Sequence, residues 1–276
     1  MNTLILQAPS THETRAIRLA AVAADAGGYL VGNATLEGLA SARQQLQEGA
    51  LPVGSVEFVR EAMRIAGIKE PANLSYPNGC EPFLGRKIHE RRAGSVVGQW
   101  FVKPRQTKLF NGFLFDTMQD PDTMDQHDRE QYDIFMGLHE DTPVMLSEPV
   151  RFISEWRYYV DPVQGQPVGC ARYDPDGAED EPRPCQQVVA DFIQKVDLKH
   201  PYAADFGVTD DGQTVLVEVN DFWALGLYHG PETLSAKDYL RLLQARWQTL
   251  CNLQTRTPQE ASIERRTTLQ HIQSRP

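Results

Sequence analysis

Three oxygen-bearing residues late in the chain have the spacing of a cation site. Asp205 lies in an apolar run from Ala203 to Val208, and Glu218 and Asn220 lie in a second run that begins at Val215. Between the runs, Asp210-Asp211-Gly212 is a strong short hairpin signal. Residues two apart on a strand share a face. Glu218 and Asn220 therefore point the same way, and the turn returns Asp205 towards them. Two carboxylates and an amide suit a hard cation such as Mg2+, with water and phosphate oxygens completing its shell. An acid inside Val215-Leu216-Val217-Glu218-Val219 also needs a partner or a metal. The competing reading makes Asp205 a turn cap, Glu218 a solvent-facing acid and Asn220 a loop residue.

Basic residues elsewhere complement this cluster. Lys103 ends the run Trp100-Phe101-Val102, and Pro104 stops the strand from pairing further. Its ammonium can meet a phosphate as a point charge, or it can simply snorkel from a strand end. Lys108, in Lys108-Leu109-Phe110-Asn111-Gly112, sits either in a loop over phosphates or in a plain hairpin turn. No Walker-type GxxxxGK loop and no GxGxxG occurs anywhere in the chain. From Phe152 onward, Phe152, Ser154, Trp156, Tyr158 and Val160 share one predicted strand face, and Ile153, Glu155, Arg157 and Tyr159 the other. On that second face Arg157 can stabilise phosphoryl charge with Glu155 orienting it; the alternative is a surface ion pair of little worth. Arg172, on the next strand, is a second candidate for the same role or else an exposed strand arginine. Pro149 holds Glu148 extended.

The elements that must position these groups follow from periodicity and turn chemistry. A short strand over 3–7 precedes a helix over 14–24 that Gly27-Gly28 ends, a helix over 35–48, and a helix that Ser55 caps and Gly67 closes. That alternation predicts a small α/β unit. Residues 70–82, rich in Pro, Asn and Gly, mark a boundary. Strands at 99–102 and 112–115, an acidic excursion over 117–143, a hairpin of 150–160 with 167–173, a helix over 186–198, the 203–219 hairpin and a helix over 233–252 come next. A polar tail begins near 255. The predicted organisation is an N-terminal α/β domain over 1–84, a nucleotide-binding domain over 85–254 and a tail over 255–276.

Composition narrows the function classes. The chain has 276 residues, 41% of them hydrophobic and 23% charged, a balance that excludes a disordered chain. A net charge of −10 argues against sequence-independent nucleic-acid binding, which needs clustered Lys and Arg. No apolar run approaches the roughly 20 residues of a membrane span. The four cysteines, Cys80, Cys170, Cys185 and Cys251, form no CxxC pair. These observations predict a cytoplasmic protein with reduced thiols, bound to neither nucleic acid nor membrane.

Taken in order, Lys103, Glu148 to Val150, Arg157, Asp205 and the Glu218-x-Asn220 pair resemble the ATP-grasp superfamily. The closest likeness is to a divergent clade of short members. It includes the eukaryotic cell-division-cycle protein that assembles a translation initiation factor, together with bacterial and phage proteins. Residues 51–59 and Tyr76-Pro77 with Phe83-Leu84-Gly85-Arg86-Lys87 are similar to bacterial members. The resemblance implies a mixed α/β (α+β) fold in which two α+β subdomains sandwich ATP. It implies that backbone around Glu148, Pro149 and Val150 holds adenine, that Arg86 and Lys87 approach the nucleotide from the N-terminal side, that Lys87, Lys103 and Arg157 hold phosphates, and that Asp205, Glu218 and Asn220 bind Mg2+. It also implies an ATP-dependent carboxylate–amine ligase acting through an acyl phosphate, on small substrates or on a peptide or protein. The alternatives are an ATP-binding assembly factor without chemistry, and a kinase that stops at phosphoryl transfer. The usual glycine-rich phosphate loop is reduced here to residues 108–112.

Overall fold

Short apolar strands alternate with amphipathic helices at the start of the chain, and the result is a parallel sheet. The computed structural model describes residues 3–8, 14–106, 109–173, 181–228 and 230–255. Strand β1 (Thr3–Gln7) lies between β2 (Leu30–Ala34) and β3 (Leu51–Val53), parallel to both. Helix α1 (Thr14–Ala26) joins β1 to β2, and α2 (Arg43–Gln47) precedes β3. The predicted 35–48 helix is only a short 3-10 turn over Leu39–Ala42 followed by α2. Strand β2, with Gly32 and Asn33 inside it, has too little apolar pattern to stand out in the sequence. Helix α3 (Val56–Ala66) begins as expected: the Ser55 hydroxyl accepts a hydrogen bond from the Phe58 amide at 3.3 Å, and Gly67 closes the helix at φ 78°.

The middle of the chain forms an antiparallel sheet in the order β4-β7-β5-β6, from β4 (Ile88–Arg92), β5 (Gln99–Pro104), β6 (Phe113–Asp116) and β7 (Pro143–Ser147). The acidic excursion carries a helix of its own, α4 (Gln126–Met136), capped by the Asp125 carboxylate on the Asp128 amide at 2.9 Å. Phe135 of α4 packs with Val102, Phe113, Phe115, Val144 and Leu146 into a separate small core.

The third sheet positions the chemistry. Its order is β11-β10-β8-β9, all antiparallel, from β8 (Phe152–Asp161), β9 (Gln166–Arg172), β10 (Tyr202–Thr209) and β11 (Thr214–Asp221). Helix α5 (Gln186–Lys195) covers the face that carries Trp156, Tyr158, Val160, Ala204, Phe206 and Leu216. The opposite face is divided. Tyr159, Ala171 and Ala203 join a core shared with the N-terminal sheet and α6 (Ala236–Thr255), and the other part of that face bears the polar cluster. Phe152 departs from the predicted alternation. A register shift between Val208 and Thr209 pairs it with Thr209, and its ring lies where a Cβ on Gly207 would point, 2.2 Å from Cδ1. Among the described residues no helix is long and apolar enough to cross a membrane. The tail beyond Thr255 lies outside the described residues.

Candidate active site

Arg157, Asp205 and Glu218 form a row across three neighbouring strands. In the register Asp205 pairs with Arg157 on one side and with Glu218 on the other, so all three side chains rise from one face. Arg157 grips Asp205 with a two-pronged ion pair, Nε to Oδ1 at 2.8 Å and the second guanidinium nitrogen to Oδ2 at 2.7 Å. The Asn220 amide donates to Asp205 at 3.0 Å and to Glu218 at 2.9 Å. Lys103 reaches across from the middle sheet and donates to Glu218 Oε2 at 2.8 Å. The five residues are one continuous polar chain from sheet to sheet.

Burial and charge compete throughout this chain. On Arg157 burial opposes the charge, but Asp205 outweighs it and the guanidinium pKa rises. The same burial pushes the Asp205 carboxyl up while Arg157 pulls it down. Burial likewise works against Glu218, yet Lys103 holds it below its ordinary value, and Glu218 in turn raises Lys103. Glu155, one step along the same face from Arg157, has no such cation of its own. Burial first, and then the charges on Asp205 and Glu218, push its carboxyl up to about 7.

Two cavities meet at the cluster. The larger, about 770 Å3, lies between the middle sheet and the β8–β11 sheet. That volume is in the range of small-molecule and cofactor sites, roughly 300–1,000 Å3. Apolar walls come from Phe101, Pro104, Phe110, Leu114, Val150 and Phe152, and Lys103, Glu155, Glu218 and Asn220 stand at its polar end. The smaller cavity, about 360 Å3, shares Asn73, Asn111, Tyr173, Glu218 and Asn220 with the first and is bordered by Arg157, Tyr228 and Trp223. The Tyr228 ring lies 4.3 Å from the Arg157 guanidinium carbon.

The predicted residues are placed unequally. Lys103, Arg157, Asp205, Glu218 and Asn220 come together in the polar chain, and Glu148, Pro149, Val150 and Glu155 line the large cavity. Arg86 lines it too but is already committed. It donates to Ser147 Oγ at 2.8 Å and to the carbonyls of Leu84, Leu216 and Val217 at 2.9, 2.7 and 3.1 Å, clamping the two sheets together. Lys87 is exposed at the outer rim, 4.0 Å from the Glu148 carboxylate, which also accepts the Lys87 amide at 2.9 Å. Arg172 does not reach the cluster. The register sets Arg172 opposite Trp156, and Ala171 opposite Arg157, so the arginine lies on the other face and pairs with Glu181 at 2.6 Å. Lys108 lies outside the described residues. The sequence reading gave no site role to Asn73, Tyr173 or Tyr228, and took Tyr76 only as part of a family likeness; Asn73 and Tyr76 lie in the Pro- and Asn-rich segment read as a boundary.

The donor set fits a hard cation. Two carboxylates on neighbouring strands are tied through a single amide, and Glu218 is the more open of the two, 33% exposed against 2% for Asp205. Among the described residues no three His, Cys, Asp or Glu side chains gather into a metal cage. An ion here would therefore rest on Asp205, Glu218 and Asn220 together with phosphate oxygens, the arrangement usual for Mg2+.

A family model described as an ATP-grasp domain, family 2 of its clade, matches residues 83–241, more than half of the chain. No curated protein sequence matches significantly. Among solved structures, D-cycloserine synthetase is similar over 90% of this chain and 100% of its own, at 15% identity and a TM-score of 0.53. The ADP complex of N5-carboxyaminoimidazole ribonucleotide synthetase is similar over 88% of this chain and 77% of its own, at 12% identity and a TM-score of 0.51. At these identities the likeness is one of fold.

Proposed function

The chain belongs to the ATP-grasp domain family, and from that premise we propose that it is an ATP- and Mg2+-dependent carboxylate–amine ligase. One observation carries the reading: the Lys103–Glu218–Asn220–Asp205–Arg157 chain stands where a nucleotide-sized cavity opens onto a second, smaller one. In this reading residues 85–254 form the nucleotide-binding unit, and Val56, Pro71 and Asn73 bring the N-terminal unit into the wall of the acceptor cavity.

ATP lies in the larger cavity with adenine near the backbone of Glu148 to Val150 and its phosphates at Lys103. Mg2+, held by Asp205, Glu218 and Asn220, supplies charge neutralisation of the phosphates. A substrate carboxylate oxygen attacks the γ-phosphorus, the bond to the β-bridging oxygen breaks, and ADP leaves. Arg157, fixed by Asp205 and Tyr228, faces the acceptor cavity and stabilises the negative charge that spreads over the transferring group. An amine then attacks the acyl carbon of the resulting acyl phosphate, inorganic phosphate departs, and the amine proton goes to solvent. The acceptor is a small carboxylate or the end of a peptide or protein. All four cysteines are free, which fits work in the reducing cytoplasm.

The test is calorimetric binding of ATP with Mg2+, followed by ADP release across a panel of carboxylates and amines. Lys103→Met is expected to weaken ATP binding at least tenfold, since it removes a charge-assisted contact worth about 1.5–3 kcal/mol. A wild-type chain that binds no ATP refutes the reading. ADP formed together with a stable phosphorylated product and no amide makes the protein a kinase, and tight ATP binding with no ADP formed makes it an assembly factor.

A further inference from the structure

Ser75 is the one residue other than glycine with a positive φ among the described residues, at 37°. It is also buried, 4% exposed. Left-handed backbone at a side-chain-bearing residue is unfavourable and persists only where surrounding contacts enforce it. Here the contact is specific. The Ser75 carbonyl accepts the Val219 amide at 2.9 Å, forming an isolated antiparallel bridge on the free edge of β11. Val219 is the residue between Glu218 and Asn220. The linker from the N-terminal unit is therefore pinned to the strand that carries two of the three cation-binding candidates.

The next residue shows what this pinning delivers. Tyr76 lines the larger cavity, and its ring lies 4.5 Å from Lys103 Nζ, the distance of a cation–π contact. Pro77 follows and restricts Tyr76 to extended backbone. The Lys103 side chain is only 13% exposed; the Glu218 carboxylate bonds its ammonium, and Tyr76 meets it with the ring and also, through its hydroxyl, as a polar partner. A four-carbon side chain loses much rotamer freedom when it is fixed at a phosphate. A ring that already holds the ammonium at the cavity removes part of that cost before the nucleotide arrives.

We propose that Tyr76 is a positioning residue for the nucleotide phosphates, acting through Lys103, and that the left-handed turn at Ser75 exists to bring its ring to the ammonium. The proposal rests on the ATP-dependent reading above. The experiment compares wild type, Tyr76→Leu and Tyr76→Phe by calorimetric titration with ATP in Mg2+ and with adenosine, alongside thermal melts. Leucine keeps apolar bulk without a π face, and phenylalanine keeps the face without the hydroxyl. Tyr76→Leu is expected to weaken ATP about tenfold with adenosine affinity unchanged, since adenosine carries no phosphate for Lys103 to meet. Tyr76→Phe, which keeps the ring and loses the hydroxyl that also acts on the ammonium, is expected to bind ATP more weakly than wild type and more tightly than the Leu variant. Wild-type binding of ATP with Tyr76→Leu equally tight overturns this proposal alone. So does a parallel loss of ATP and adenosine affinity, which marks a deformed cavity, and so does a Phe variant as weak as the Leu variant. A wild-type chain that binds no ATP removes the ligase reading and this proposal together.

Discussion

Replacing Asp205 by asparagine keeps the shape of the side chain and removes its charge. Asp205 is 2% exposed and accepts three hydrogen bonds, two from Arg157 at 2.8 and 2.7 Å and one from Asn220 at 3.0 Å. Arg157, itself 7% exposed, then has no counter-charge bonded to it. Removing one partner of a buried pair typically costs about 3–5 kcal/mol, because the other charge stays in a poor solvent. Asparagine keeps one acceptor oxygen for a guanidinium nitrogen, so the low end applies, about 3 kcal/mol. For a domain of this size about 1 kcal/mol moves Tm by roughly 2–4 °C, so the melt falls by about 6–12 °C. Urea unfolding followed by tryptophan fluorescence, with differential scanning calorimetry beside it, measures both quantities. A second variant checks the cause. Arg157→Leu with Asp205→Leu removes both charges and is expected to cost less than the two single leucine variants added together. If Asp205→Asn loses under about 1 kcal/mol, the size of a surface substitution, the buried pair does not organise the site.

Two further predictions follow from neighbouring groups. Glu155 titrates near 7 in the folded chain against an ordinary 4.5, so between those values the native state binds more protons than the unfolded one and stability falls as pH rises. Glu155→Gln removes that dependence. Its urea midpoint is expected to exceed wild type above pH 7, by at most about 3 kcal/mol in free energy, and to match wild type at pH 4; parallel curves across the range contradict the assignment. Gly207→Ala would set a methyl 2.2 Å from the Phe152 ring, so the ring, which lines the larger cavity, must move. A stability loss of about 1–3 kcal/mol together with weaker ATP binding is expected, and unchanged calorimetric affinity shows that the ring does not shape the cavity.

What could be read from the sequence follows the physics of strands. Glu218 and Asn220 share one face by the period of two, and Arg157 stands opposite Asp205 in an unshifted stretch of pairing. Asp205 meets Glu218 only because the β10–β11 pairing shifts between Asp205 and Phe206; unbroken alternation from the turn would set Asp205 opposite Val217. Arg172 shows the limit of that reasoning. Its face depends on how β9 registers against β8, and the pairing shifts between Tyr159 and Val160, which no local pattern announces. Phe152 changes faces for the same reason, a shift at Val208. Strands β4 and β7 are invisible in the sequence because charged residues fill the exposed strand β4, Ile88–Arg92, and β7 is hidden at the end of the acidic stretch. Arg86 resembles a nucleotide ligand in sequence, but four carbonyl and hydroxyl partners, one from its own turn and three from two distant segments, claim it. Tyr76 depends on a left-handed serine and a single bridge to a strand over a hundred residues away, contacts that no composition-based reading of a Pro- and Asn-rich stretch contains.

Helix α6 has a consequence for how the molecule is made. Its Tyr239, Leu240, Leu243 and Trp247 share a core with Leu4, Ile5 and Leu6 of β1, and its Arg246 holds Asp221 at 2.7 and 2.6 Å beside Asn220. On the ribosome the first sixty residues therefore emerge with an apolar surface whose cover is the last segment described, Ala236–Thr255. The middle sheet, with its own core, can condense on the way. The opening sheet and β11 reach their final state only when α6 leaves the exit tunnel, so a chain stalled before α6 carries an unfinished opening sheet as well as lacking that helix.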